Sequence, residues 1–426
     1  MTLIGYTCHR QRIHQLYTRF GPNCQFIECL KEHLLTENTD EFVQPVLGSM
    51  ELDLFQLSKL VNAHGGLQTV INKLKWGKIA DELKIPKSVQ SRNERLQAFY
   101  YRYLLSYDML QAGEKAAIQS RVLKKRDAKA ARFVAAKTAA AAAASSSGGS
   151  GAAAAADVED DEAFGFESGK SHNLTSFRKM ADDFKETYLK NKKNPHEANA
   201  GELEAEYWKI LEDGDKHVCV SYGSDVDTTK HGSGFSVSLD DPYSKFGWNL
   251  NVLPGLEGSI LKHVSGISGI SMPWLYVGMM FSTFCWHNED NYLYSINYHH
   301  FGAPKMWYGV PGEDAHKLEA CFAKYMPDEF GKRPLLLHDL VTMLSPARLA
   351  QDGIRVSRTV QEQRQFVVTF PQAYHSGFSL GFNCGEAVNF AAADWIPFGQ
   401  CTVHPNILDI LNIVQRIFRF ACASGR

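Results

Sequence analysis

The chain has 426 residues, with 45 Lys+Arg against 47 Asp+Glu and a formal net charge of −2, and this length predicts two or three domains because single cores stop growing near about 250–300 residues. Apolar residues make up 44% and aromatics 12%, which excludes disorder along the whole chain. The 9 cysteines include no Cys-x-x-Cys pair and no apolar run reaches about 18 residues, so neither a disulfide framework, a zinc ribbon nor a spanning helix is suggested; a soluble protein of a reducing, intracellular compartment is expected, with no membrane partner.

Residues 1–22 read as an N-terminal extension, with Arg and His scattered through a stretch unlike a signal peptide. From residue 23 to 112 apolar side chains recur at helical spacing, as in Phe26, Leu30 and Leu34, then Leu54, Leu57, Leu60 and Val61, then Leu96, Phe99 and Tyr103. This predicts an all-α bundle. Gly65-Gly66 stops one helix, and Ile85-Pro86 separates a helix over residues 76–83 from one beginning near Ser91.

Charge is divided unevenly. Residues 1–137 carry 21 Lys+Arg and 13 Asp+Glu, a net +8, which leaves −10 for the rest. Between Lys73 and Arg102 lie eight basic residues and only Asp81, Glu82 and Glu94 as acids. That density suits a phosphate-facing surface, although a solvated helical face explains the charge alone equally well. The two helices around Ile85-Pro86 resemble a helix-turn-helix pair, so the second is expected in the major groove of duplex DNA, with Lys87, Ser88, Arg92 and Arg95 near phosphates or base edges.

Residues 113–165 read as a linker: basic first, then Ala and Ser/Gly tracts, then an acidic run. Lys124, Lys125, Arg126, Lys129, Arg132 and Lys137 form a basic cluster of the kind found in nuclear import signals, although such clusters also arise frequently by chance. Residues 166–216 are expected to be a helical lead-in. Over 217–400, strand-length pieces alternate with turn signals, including 217–222, 275–286, 292–298, 305–310, 365–370 and 384–392, which predicts an antiparallel β domain with added helices. Residues 401–426 carry apolar side chains at helical spacing and read as a packing helix.

The chemistry concentrates in Phe284-Cys285-Trp286-His287-Asn288-Glu289. On a strand, His287 and Glu289 project from one face. A second strand through Phe366–Phe370 leads to His375, which brings a second imidazole to the same point. Two His and one carboxylate on one side of a metal form the ligand set of non-haem Fe(II) oxygenases. Lys305, in the apolar setting Ala303-Pro304-Lys305-Met306-Trp307-Tyr308, needs an anion. The distal carboxylate of a dicarboxylic cosubstrate would satisfy it, with Ser295 and Asn297 adding hydrogen bonds.

The segments His287-Asn288-Glu289-Asp290, Tyr294-Ser295-Ile296-Asn297-Tyr298, Gly302-Ala303-Pro304-Lys305-Met306-Trp307-Tyr308-Gly309-Val310-Pro311 and Thr369-Phe370-Pro371-Gln372-Ala373-Tyr374-His375-Ser376-Gly377-Phe378 resemble the JmjC domains of histone lysine demethylases. The N-terminal part is similar to an ARID DNA-binding domain, through Leu57-Ser58-Lys59-Leu60-Val61, Gly65-Gly66, Lys75-Trp76 and Tyr100 to Tyr107. Within the ARID-containing Jumonji group, His231-Gly232-Ser233-Gly234-Phe235 and Phe246-Gly247-Trp248-Asn249-Leu250 look like the Polycomb-associated branch, here with an intact iron-binding triad. The resemblance implies an all-α ARID bundle over 23–112, then over 217–400 a mainly-β double-stranded β-helix of the cupin and jelly-roll type with added helices.

It further implies that His287, Glu289 and His375 bind Fe(II), that Lys305, Tyr222, Ser295 and Asn297 hold 2-oxoglutarate, and that Phe284 and Trp307 wall the pocket. The expected reaction is hydroxylation of an N-methyl group on a methylated histone tail in the nucleus, releasing formaldehyde. A chromatin scaffold recruiting a Polycomb-type methyltransferase complex is the competing expectation. Three features depart from the pattern: neither a JmjN segment nor a cysteine-rich finger is read in the chain, Ser379 stands where active relatives often carry Asn, and the pair His299-His300 has no evident role.

Overall fold

In a computed structural model, residues 5–17, 21–37, 42–48, 50–126, 128, 166–190, 199–263, 266–326 and 342–400 are described. The expected C-terminal helix, most of the Ala-rich linker, and Lys129, Arg132 and Lys137 lie outside them.

The first strand, β1 (Tyr6–Arg12), corrects the expectation of an N-terminal extension. It buries Tyr6 and Cys8 and pairs antiparallel on one side with β4 (Phe166–His172) and on the other with β5 (Cys219–Asp227). The Gln11 amide then makes two bonds that imitate strand pairing: its Nε2 donates to the Thr283 carbonyl at 2.7 Å and its Oε1 accepts from the Thr283 N–H at 2.8 Å.

The helical bundle comprises α1 (Pro22–Thr36), the short antiparallel strands β2 (Val46–Leu47) and β3 (Met50–Glu51), α2 (Leu54–Ala63), α3 (Leu67–Asn72), α4 (Trp76–Glu82) and α5 (Arg92–Phe99). α5 runs through a π-helical turn at Tyr100–Leu104 into α6 (Leu105–Asp108). Pro22 opens α1, where a missing N–H costs nothing, and the Asp53 carboxylate caps α2 by accepting from the Gln56 N–H at 3.0 Å. Leu30, Leu57, Val61, Val70, Ile79, Leu96 and Leu104 are buried together. A seventh helix, α7 (112–126), adds Ile118 and Val122 to this core, so the bundle continues through residues 113–126 of the segment expected to be linker.

The expected lead-in begins with β4 and continues as α8 (Leu174–Leu189) and α9 (Ala200–Asp213), each capped by an Asn side chain. Beyond β5 and the short helix α10 (Thr228–His231) come β6 (Trp274–Gly278), β7 (Thr283–His287), β8 (Tyr294–Gly302), β9 (Lys305–Val310), the helix α11 (Ala315–Tyr325), β10 (Ser357–Gln361), β11 (Phe366–Thr369), β12 (Tyr374–Ser379) and β13 (Asn383–Phe390). They form a seven-stranded sheet in the order β11-β8-β13-β6-β5-β1-β4 and a four-stranded sheet in the order β10-β9-β12-β7. Side chains of both sheets share one core, among them Val277, Cys285, Met306 and Phe378.

The bundle touches the β domain through a buried charge cluster. The Glu51 carboxylate lies 2.6 Å from His217 Nε2 and accepts from Arg10 at 2.7 Å, while Asp53 accepts from the His217 backbone N–H at 2.7 Å.

Candidate metal centre

β7 and β12 pair so that His287 and His375 stand opposite each other, with ring centroids 4.2 Å apart. Glu289 follows two residues beyond the end of β7, where Asn291 and Tyr292 adopt left-handed backbone and reverse the chain. One ligand atom each from His287, Glu289 and His375 falls within 4.8 Å of the others, a spacing that one ion can bridge. His375 Nε2 is 3.2 Å from Glu289 Oε1.

The inner nitrogens are aimed by their outer partners. His287 Nδ1 lies 2.8 Å from the Cys285 carbonyl and His375 Nδ1 lies 3.1 Å from that of Ala373, which leaves both Nε2 atoms for the centre. Burial, then the neighbouring His375, pulls the His287 pKa down to about 4, so it offers a neutral imidazole at pH 7. Burial opposes the charge on Glu289, but the hydrogen bond and charge of His375 prevail and hold it at about 2.

Strict alternation would turn Phe284 away from His287. The ladder prevents this: three steps along β7, from His287 to Phe284, match two along β12, from His375 to Gly377. This bulge swings Phe284 to the inner side, where its ring lies 4.6 Å from Trp307 and 6.4 Å from His287. Gly377 is required there, because a Cβ would meet the Met306 carbonyl at 2.0 Å and the Phe284 ring at 2.6 Å.

Lys305 is 2% exposed. Its Nζ sits 5.6 Å from the Phe284 ring and 5.9 Å from that of Tyr276, and among the described residues no carboxylate pairs with it. Burial alone lowers its pKa to about 8. Ser295 and Asn297 lie on the inner face of β8; Ser295 Oγ is 2.5 Å from Thr369 Oγ1. Tyr222 is buried on β5, 6.4 Å from Tyr276, and burial raises its hydroxyl pKa.

The four candidate DNA contacts divide. Lys87 and Ser88 are exposed in the turn before α5, and Arg95 is exposed on it. Arg92 instead donates to Asp81 at 2.7 Å and to the Ile85 carbonyl at 2.8 Å, so its guanidinium is engaged in holding α4 to α5.

Sequence reading overlooked three polar groups. Asn389 Nδ2 donates to Glu289 Oε2 at 2.9 Å. Gln361 accepts from Trp307 Nε1 at 2.9 Å and donates to the Asn297 carbonyl at 3.1 Å. Glu386, fully buried, lies 2.7 Å from His300 Nε2 and accepts from Ser233 at 2.6 Å and from the Gly234 N–H at 2.8 Å. A polar residue inside an otherwise apolar strand, as at positions 386 and 389, is the signal that was available.

Two facing antiparallel sheets around a cluster of two imidazoles and one carboxylate define a cupin-type fold with a candidate metal site, joined to a helical bundle. Residues 274–390 match the family description "JmjC domain, hydroxylase", and residues 22–108 match "ARID/BRIGHT DNA binding domain". The chain therefore carries an ARID domain followed by a JmjC domain. It is 49% identical over 251 residues to Lysine-specific demethylase JMJ703 of Oryza sativa subsp. japonica, which covers 57% of this chain and 20% of that protein. Putative lysine-specific demethylase JMJ16 of Arabidopsis thaliana is 48% identical over 264 residues, 57% of this chain and 22% of its own. Protein Jumonji of Gallus gallus is 35% identical over 436 residues, 91% of this chain and 35% of its own. The chain thus spans between a fifth and about a third of the length of these relatives.

Proposed function

We propose that this protein is an Fe(II)- and 2-oxoglutarate-dependent histone lysine demethylase delivered to chromatin in the nucleus by its ARID domain. The observation that carries this reading is the buried ammonium of Lys305, which has no carboxylate partner among the described residues and lies 5.6 Å from the Phe284 ring, itself 6.4 Å from His287 of the three-ligand cluster. A dicarboxylate supplies the missing charge, so the donor set fits both groups. His287, Glu289 and His375 would hold the iron; Lys305, Tyr222, Ser295 and Asn297 would hold 2-oxoglutarate between the walls of Phe284 and Trp307. When bound, iron with 2-oxoglutarate supplies the oxygen chemistry that hydroxylates an N-methyl group, and the product then loses formaldehyde. The chain's own part is to present two imidazoles and a carboxylate, fix the cosubstrate by one end, and keep water out with Phe284 and Trp307. Exposed Lys87, Ser88 and Arg95 would face duplex DNA, with Arg92 bracing them from behind.

Formaldehyde release from a trimethyl-lysine histone peptide tests the activity: it is expected from the wild-type chain and absent from His287→Ala, and equal signal from both removes the enzyme reading. A second reading, a scaffold for a Polycomb-type methyltransferase complex, is favoured by the 91% of the chain that aligns with chicken Jumonji. The higher identity to the rice and Arabidopsis proteins over 57% of the chain and the His287, Glu289 and His375 cluster favour the first.

A further inference from the structure

Along β8 the residues Ser295, Asn297 and His299 occupy alternate positions and therefore one face. The opposite face carries Tyr294, Ile296 and Tyr298, of which Ile296 and Tyr298 pack with Leu250, Val388 and Phe366. His299 is thus the third polar group on the strand face that carries the cosubstrate candidates.

Its ring is fully buried, and neither Nδ1 nor Nε2 has a hydrogen-bond partner. The Gly302 carbonyl exerts some pull on the ring but lies outside hydrogen-bonding geometry. Its neighbour in sequence behaves oppositely, since His300 turns to the other face and binds Glu386. Two unpaired nitrogens on one buried ring are a cost that native structures rarely carry without a ligand.

Strand register locates the ring. Tyr276 on β6 stands opposite Gly385 on β13, and Gly385 stands opposite His299, so Tyr276 and His299 flank a residue with no side chain. Lys305 reaches into this row from the other sheet, with Nζ 5.9 Å from the Tyr276 ring. Burial first, and the charge of Lys305 among the lesser causes, bring the His299 pKa to about 4. The neutral ring then has one N–H to donate, and it stands beside an ammonium that lacks an anion.

We propose that His299 is a further cosubstrate-binding residue, donating a hydrogen bond to the same distal carboxylate that Lys305 neutralises and so selecting a 2-oxo dicarboxylate over a 2-oxo monocarboxylate. The proposal rests on the oxygenase reading given above.

The test is calorimetric binding of 2-oxoglutarate and of 2-oxobutyrate, which lacks the distal carboxylate, to the full chain loaded with Mn(II). His299→Leu should weaken 2-oxoglutarate about tenfold and leave 2-oxobutyrate unchanged, and His299→Gln, which keeps an N–H donor, should recover most of the loss. The leucine variant should melt no earlier than wild type, because it removes two unpaired polar atoms. Equal weakening of both acids, or no weakening of either, overturns the proposal. Lys305→Met separates the two levels: if it leaves 2-oxoglutarate binding intact, the cosubstrate pocket itself is wrong; if it abolishes binding while His299→Leu does not weaken it, only the role of His299 falls.

Discussion

Asn389 holds Glu289 from behind: its Nδ2 donates to Glu289 Oε2 at 2.9 Å and to the Tyr294 carbonyl at 3.1 Å, so the carboxylate turns Oε1 toward His375. Outer partners of this kind set ligand orientation. Replacing Asn389 with Leu should weaken Fe(II) or Co(II) binding by about 10–100-fold without unfolding the chain. Competition against a chelator of known affinity measures the change, and an unaltered affinity would show that Glu289 needs no such support.

Lys305 should make stability rise at high pH. Its folded pKa of about 8 lies below the ordinary 10.5, so between these values the unfolded chain binds a proton that the folded chain has released. Stability of the ligand-free protein should therefore increase from about pH 8 to pH 10.5, by up to ~3 kcal/mol. Lys305→Met should flatten that rise in denaturant titrations while abolishing 2-oxoglutarate binding.

Glu51 predicts loss of stability in acid. Burial works against its charge, but the bond to His217 and the charges of Arg12 and Arg10 hold it at about 2, against an ordinary value of 4.5. The stabilisation is complete above pH 4.5 and disappears as pH falls toward 2. At neutral pH, Glu51→Ala leaves buried His217 without its carboxylate and leaves Arg10 and Arg12 with Glu167 alone, and should cost about 3 kcal/mol. Thermal unfolding checks it; an unshifted transition would mean that the junction between bundle and β domain does not depend on this cluster.

In DNA binding, Lys87→Ala and Arg95→Ala should each weaken affinity across all sequences and reduce the salt slope by about 1. Arg92→Ala should act differently: by releasing Asp81 and the Ile85 carbonyl it should cost about 1 kcal/mol of bundle stability with the salt slope nearly unchanged. Fluorescence anisotropy at several salt concentrations, paired with melting curves, distinguishes the two effects.

The facing of His287 and His375 was suggested by strand-length apolar runs, but the triad stood out only through the resemblance, since His-x-Glu is common and Glu289 lies two residues past the end of β7. Phe284 was placed in the pocket by resemblance only, since alternation points it away and no residue type announces the bulge that turns it back. β1 was illegible for a different reason. Its sequence, YTCHRQR, is polar along much of its length because Arg10 and Arg12 reach carboxylates at the junction and Gln11 pairs with a backbone, partners that exist only after folding. α7 was hidden by composition: Ile118 and Val122 are its only buried apolar residues among Lys, Arg and Gln. His299 was visible as an oddity, but its orphaned nitrogens are a property of the closed barrel.

The pairing of β1 with β4 has a topological meaning. The two strands are neighbours in one sheet, yet the entire DNA-binding bundle is threaded between them, as an insertion at the tip of a hairpin. Such a module is held by two tethers rather than one, which restricts how freely it swivels against the β domain. The same geometry makes it excisable: joining the end of β1 to the start of β4 by a short turn should leave the barrel a continuous, foldable unit.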